Sequence, residues 1–399
     1  MSEFKSSNFR NEDGSGGPDI VGVTTFTSPY YFVPPSGTTA ERPSDPAPGM
    51  LRFNEDIGRL EVWRNDHWAT ILGESPNLGN QLVTNSAGGT GARGVWGGYR
   101  NTPTTPSSVS SEYVTISTLG DSQNFGDLTL QRALQASCSS STRGLFGGGY
   151  VYPNSGTGSN RTNKITGWTF SSTGSHVDFG VTLSKTAQNC VGLSNQTRGI
   201  FHVGYISAPS TPAGICNILD YVTIASVGNG VDFGDLSDPA SEVSSCSSSV
   251  RGLFMGGYVA PAPKLRNKID YVTISTLGDA QDFGDLTQIS RASSGGGNST
   301  RGIRMGGVGS PARVNTIDFV TIASTGNAQD FGDLSNTISD AGHNVSSPTR
   351  SILAGGYTPA AIDTIQYINN QTTGNSIDFG NLNANKGQLA GASNAHGGL

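Results

Sequence analysis

A unit of about 50 residues recurs six times along the chain, and that repetition limits what the chain can fold into. Its clearest copy opens on Arg251-Gly252-Leu253-Phe254-Met255-Gly256-Gly257-Tyr258, continues through Ile269-Asp270-Tyr271-Val272-Thr273-Ile274 and closes on Asp282-Phe283-Gly284-Asp285-Leu286. The opening arginine returns as Arg93, Arg143, Arg198, Arg251, Arg301 and Arg350, and the phenylalanine as Phe125, Phe179, Phe233, Phe283, Phe331 and Phe379. A unit of this length holds one four-stranded sheet, longer than the repeats of short solenoids.

The fifth copy reads strand by strand: a small-residue strand within 290–299, a second at 301–308, a third at 316–323 and a fourth at 328–334. Ile317-Asp318-Phe319-Val320-Thr321-Ile322 is rich in β-branched and aromatic residues and gives the strongest strand signal. Gly306-Gly307 ends the second strand, where a positive φ or a close backbone approach is needed. Small side chains in the first strand suit an innermost, crowded position.

The register also predicts how the array closes. Leu78 precedes Arg93 by the same 15 residues that separate Leu286 from Arg301, so 81–92 has first-strand register, and so does 387–396 after Leu382. Unpaired blade edges need protection. The C-terminal segment is therefore expected to complete the sheet begun at Arg93, leaving 76–92 as a connector or outer cover.

Composition agrees with short strands and tight turns: 56 glycines, 34% hydrophobic and 14% charged residues. A net charge of -6 offers no basic footprint for a phosphate backbone, so no nucleic-acid partner is expected. No apolar run is long enough to span a membrane, and residues 1–12 do not resemble a secretory signal, so the chain is expected to fold where it is made. The four cysteines lack the spacing of a zinc site and read as buried thiols.

Ahead of the array, residues 1–20 read as a flexible or partner-ordered arm, followed by an apolar, aromatic stretch and a stiff Pro-rich link, so that 1–48 forms an extended leader. Residues 49–75 read as a three-stranded meander with Trp63 and Trp68 as its core, and 76–399 as the repeat domain.

Two resemblances follow from these residues. Gly49-Met50-Leu51-Arg52-Phe53-Asn54 with Leu60-Glu61-Val62-Trp63 and Trp68 resembles a small β-module of virion and tail-fibre proteins of tailed phages. Tyr31-Phe32-Val33-Pro34-Pro35-Ser36-Gly37 resembles the segment preceding it in structural proteins of contractile-tailed marine phages. The order of strands within the repeat resembles the kelch repeat of β-propellers, although the tryptophan expected in the third strand is absent and the phenylalanine of Asp-Phe-Gly takes its packing role. The resemblances imply an all-β chain, a six-bladed kelch-like β-propeller behind an attachment module. They imply a virion protein, made in the host cytoplasm and carried in multiple copies. It would dock on other virion proteins through its N-terminal region and serve decoration or adhesion to a host-surface glycan or envelope receptor. A glycan-active enzyme and a cellular kelch-like interaction module are the alternatives.

Chemistry-bearing motifs are sparse. Asp-Phe-Gly recurs without the companions of a kinase, and His67, His176, His202, His343 and His396 occupy no repeated position, so no catalytic residue and no cofactor is expected. Asp279, Asp282 and Asp285 read as turn caps, with bound calcium the competing reading. The six arginines read as structural hydrogen-bonding partners of a neighbouring loop or of the Asp-Phe-Gly-Asp turn, with a pore for anions as the alternative. Binding is expected in the loops that differ between copies, 100–111, 151–163, 206–217, 259–267, 309–315 and 358–363. Their candidate ligand residues are Tyr99, Arg100, Tyr150, Tyr152, Tyr205, Tyr258, Lys264, Arg313 and Tyr357.

Overall fold

The computed structural model describes residues 34–70, 92–100, 109–152, 160–206, 214–259 and 264–399, apart from the side chains of 264, 343 and 344. The expected arm, most of the connector at 76–92 and the proline-rich loop tips at 103–106 and 261–263 lie outside the described residues. The chain is all-β: among the described residues the helical structure is one short turn, Thr39–Glu41. It divides into two compact units, Met1–Pro76 and Asn77–Leu399.

The first unit is a four-stranded sheet, Ser36–Gly37, Leu51–Asn54, Arg59–Trp63 and Trp68–Thr70 in that order. The meander expected from the sequence is present, with a fourth strand added where Ser36–Gly37 pairs in parallel with Phe53 and Asn54. The link doubles back because Arg42 reaches Glu61: its Nε donates to Oε1 at 3.1 Å and its Nη2 to Oε2 at 2.5 Å. Arg52 and Asn54 donate to the same carboxylate at 3.2 Å each. Arg52, Asn54 and Glu61 are therefore the buried polar residues of this sheet, while Trp63 and Trp68, 5.6 Å apart, are half-buried and do not form the expected core. Strand alternation puts Leu51, Phe53, Leu60 and Val62 on the opposite face, and Leu51 there is 41% exposed.

In the second unit each repeat forms one antiparallel sheet. Sheet I joins Arg93–Gly97, Ser110–Thr115 and Gln123–Asp127 to the C-terminal strand Ala390–Ser393. The expected end-to-end pairing is present, with Ala390 opposite Gly97 and Ser393 opposite Gly94. Sheet II begins with Ala136–Ser139, III with Val191–Ser194, IV with Ser244–Ser247, V with Ser294–Gly297 and VI with Gly342–Ser346. Sheet V follows the expected strand order, Ser294–Gly297, Arg301–Met305, Thr316–Thr321 and Gln329–Asp333.

Adjacent sheets are joined by backbone hydrogen bonds, and the sequence of bonds returns to its start. Gly174 N donates to Phe125 O, Gly230 N to Thr182 O, Gly278 N to Phe233 O, Gly326 N to Phe283 O, Gly374 N to Phe331 O and Gly120 N to Phe379 O, all at 2.7–2.9 Å. Each bond links one sheet to the one before it, the last linking I to VI. Serine hydroxyls tie the first strands together: Ser194 Oγ donates to Ser139 O at 2.8 Å, Ser247 Oγ to Ser194 O at 2.8 Å and Ser393 Oγ to Ser346 O at 2.7 Å. The backbones approach closely at Gly295, where a Cβ would lie 1.9 Å from Ser245 O.

Candidate functional site: a mouth of six left-handed residues

The repeated residues build the scaffold. Arg93 donates to Phe170 O at 2.8 Å, Arg143 to Ile224 O at 3.0 Å, Arg198 to Ile274 O at 2.8 Å, Arg251 to Ile322 O at 3.1 Å, Arg301 to Asn370 O at 3.0 Å and Arg350 to Ile116 O at 2.9 Å. Each carbonyl belongs to the next sheet, so the arginines are inter-sheet clasps rather than partners of the acidic turn. Each guanidinium also lies over the aromatic ring of its own sheet, as Arg251 does over Tyr271 at 4.8 Å. That ring meets the repeat phenylalanine edge-on, Tyr271 and Phe283 being 6.0 Å apart. Phe125, Phe233, Phe283, Phe331 and Phe379 are buried, and Phe179 is half-buried.

The acidic turns also cap neighbours. Asp279 Oδ1 accepts from Asp235 N at 3.0 Å, and Asn327 Oδ1 accepts from Asp285 N at 3.0 Å. Among the described residues no group of three His, Cys, Asp or Glu side chains is arranged to hold a metal ion. The cysteines are free and buried, and burial pushes the Cys216 thiol up to about 11 and the Cys246 thiol up to about 12.

At one end of the first strands the copies differ. Leu134, Asn189, Glu242, Ala292, Asp340 and Gln388 each stand just before a first strand, with φ of 57°, 53°, 55°, 52°, 52° and 60°. Left-handed backbone costs a non-glycine residue about 1–2 kcal/mol, so surroundings must enforce it. The enforcement is visible: Leu134 N donates to Gln388 O, Cys190 N to Leu134 O, Ala292 N to Glu242 O, Asp340 N to Ala292 O and Gln388 N to Asp340 O. These residues were not singled out from sequence because their side chains share no chemistry. A fixed position, nine residues before Arg143, Arg198, Arg251 and Arg301, was the available signal.

The six, with Gln135, Ser293 and their neighbours, line a cavity of about 50 Å³. Two carboxylates face it. Glu242 is ion-paired with Arg291, while Asp340 Oδ2 accepts from Ser339 Oγ at 2.9 Å. Burial first, then the charge of Glu242, pushes the Asp340 carboxyl up to about 6.

Around this mouth the segments after each Gly-Gly-Tyr form small hairpins. Tyr150–Val151 pairs with Arg132–Ala133, Tyr258–Val259 with Ala240–Ser241 and with Lys264–Leu265, and Tyr205–Ile206 with Gly214–Ile215. Val308 bridges Arg291 and Arg313, and Tyr357 bridges Ser339 and Ala361. The structure thus brings the predicted ligand residues to one face, though unequally. Tyr99 is 7% exposed beneath the Lys386 ammonium, 4.2 Å from its ring, so it belongs to the interior. Arg100 lies over Tyr152 at 5.4 Å, Arg161 over Tyr205 at 4.9 Å and Arg291 over Tyr258 at 5.8 Å. The Tyr150 ring lies 4.8 Å from that of Tyr152 in a tilted pair, Tyr357 Oη donates to Arg100 O at 3.1 Å, and Arg313 Nε donates to Ser339 Oγ at 2.9 Å. Lys264 sits in a hairpin strand by its backbone.

No helix among the described residues is long and apolar enough to cross a membrane. Scanned against protein-family models and compared with curated proteins, the chain has no match.

Proposed function

We propose that the chain is a non-enzymatic virion structural protein of a tailed phage, whose N-terminal unit docks on the particle and whose six sheets are the blades of a kelch-like propeller displayed outward. The observation that carries this reading is the division of labour in the repeat. What the copies share, the arginine clasp and the buried phenylalanine, joins sheet to sheet. What they vary, the six mouth residues and their hairpins, gathers on one face. A rigid frame presenting a variable face is the construction of a recognition module. Docking draws support from the phage-like motif at 49–68 and from the apolar face of Leu51, Phe53, Leu60 and Val62, on which Leu51 is exposed and the other three are half-buried, and which suits an apolar surface on another virion protein. Repetition on a particle adds weak contacts into firm attachment.

An electron-microscopy map of intact particles tests the reading. The expected result is density for this chain with the mouth outward; particles lacking the chain would overturn it. Glycan-array binding by the full chain then separates adhesion from passive decoration.

The second reading, a glycan-active enzyme, draws on Glu242 and Asp340 sharing one cavity. A carboxyl pushed up to about 6 beside a second carboxyl is an acid–base arrangement. Against it stands the ion pair with Arg291 that occupies Glu242. Glycan cleavage that disappears in Glu242→Gln would establish the enzyme.

A further inference from the structure

We infer that the mouth bounded by Asn189, Glu242, Asp340 and Gln388 binds a protonated primary amine, the ammonium of an amino sugar or of a lysine side chain. The inference rests on reading the second unit as a binding module and goes further by naming the chemistry of the ligand.

The hydrogen-bonding inventory of the cavity is one-sided. Gln135 is 1% exposed and lines the cavity; its Nε2 donates to Gly97 O at 3.0 Å, and its Oε1 has no partner. The bond to Gly97 fixes which end of the amide is oxygen. Gln388 Oε1 is likewise buried and without a partner. A buried acceptor left unpaired costs about 1–3 kcal/mol, and here two belong to residues that line the same cavity as Asp340 and Glu242. A ligand complementary to these acceptors donates and carries no negative charge, which disfavours phosphate and carboxylate groups.

Size and charge narrow the choice. A space of about 50 Å³ admits an ammonium and a methylene, and an ammonium carries three donors with no acceptor. A hard metal ion would want several carboxylates in one shell, and no group of three metal-ligating side chains exists among the described residues. A cation placed here also relieves the repulsion between Asp340 and Glu242. The charged groups around Asp340 are Glu242, Arg291 and Arg313, with Tyr357 also close; the two arginines flank the carboxylates. Because Asp340 must be ionised to hold the amine, affinity falls as pH drops through about 6.

Isothermal titration of the full chain with methylammonium, glucosamine, Nα-acetyl-lysine and glucose tests the inference. Methylammonium and at least one of the other two amines should bind and glucose should not; glucosamine against acetyl-lysine tells the glycan source from the peptide source. Affinity should fall about tenfold between pH 7.5 and pH 5, as expected for a carboxylate with a pKa of about 6. Asp340→Asn, which keeps a residue tolerant of left-handed backbone, and Gln388→Met should each weaken binding at least tenfold at unchanged melting temperature. Equal uptake of glucose, or unchanged affinity in Asp340→Asn, overturns the inference. No heat with any amine also overturns it, and a positive glycan array in that case shows that the adhesion reading survives without it.

Discussion

Arg251 and Ile322 lie in different sheets, yet Arg251 Nη1 donates to Ile322 O at 3.1 Å while its guanidinium stays over Tyr271. One side chain therefore fixes both the packing within sheet IV and its attachment to sheet V. Arg251→Met keeps the aliphatic stem but removes a charge-assisted bond to a buried carbonyl and a cation–π contact, a loss of about 2–4 kcal/mol. Chemical denaturation of the full chain should show that loss.

Gly284 and Gly278 separate close approach from backbone strain. Both have positive φ, 146° and 144°, but a Cβ on Gly284 would lie 2.4 Å from Gly326 O, whereas one on Gly278 meets nothing within 4 Å. Gly278→Ala should cost about 1–2 kcal/mol of conformational strain. Gly284→Ala should cost clearly more, because relief would break the Gly326 to Phe283 hydrogen bond. Equal losses would show that the sheets are not held this tightly.

Stability should fall in mild acid. Burial lowers His176 to about 3 and His202 and His396 to about 4, from an ordinary value of 6.5. The unfolded chain takes up these protons first, so the stabilisation is full above 6.5 and drains away as pH falls toward 4, at up to about 1.4 kcal/mol per pH unit for each histidine. Asp340 works in the opposite direction: its folded pKa is raised, so its contribution grows as pH falls from about 6 toward 4. Burial also raises the Asp220 and Asp235 carboxyls, which act in the same direction as Asp340, but the three histidines shift further and leave a net loss. Melting temperature measured from pH 7 to pH 4.5 should decline; a flat or rising profile would contradict the burial of these histidines.

Much of the frame is legible in the sequence. Ile269-Asp270-Tyr271-Val272-Thr273 announces a strand by composition, and the extra half-copy at 387–396 announces its pairing with Arg93–Gly97. What escaped has physical reasons. The arginines end on backbone carbonyls, which every residue owns and no motif marks. The mouth is specified by φ and position, while Leu134, Asn189, Glu242, Ala292, Asp340 and Gln388 share no side-chain chemistry. In the N-terminal sheet, alternation separates Leu51 and Phe53 from Arg52 and Asn54, but alternation cannot say which face is covered. Arg42, 19 residues from Glu61, covers the polar one.

The account depends most on the closure of six sheets through the C-terminal strand. Deleting 387–399 removes Ala390–Ser393 from sheet I, bares the edge of Arg93–Gly97, and cuts the Ser393 to Ser346 and Ser139 to Ser393 links. The melting temperature of the truncated chain should fall by at least about 10 °C, the shift expected for losing some 5 kcal/mol in a domain of this size. An unchanged melting temperature would contradict the closed circuit, and with it the mouth that the circuit assembles.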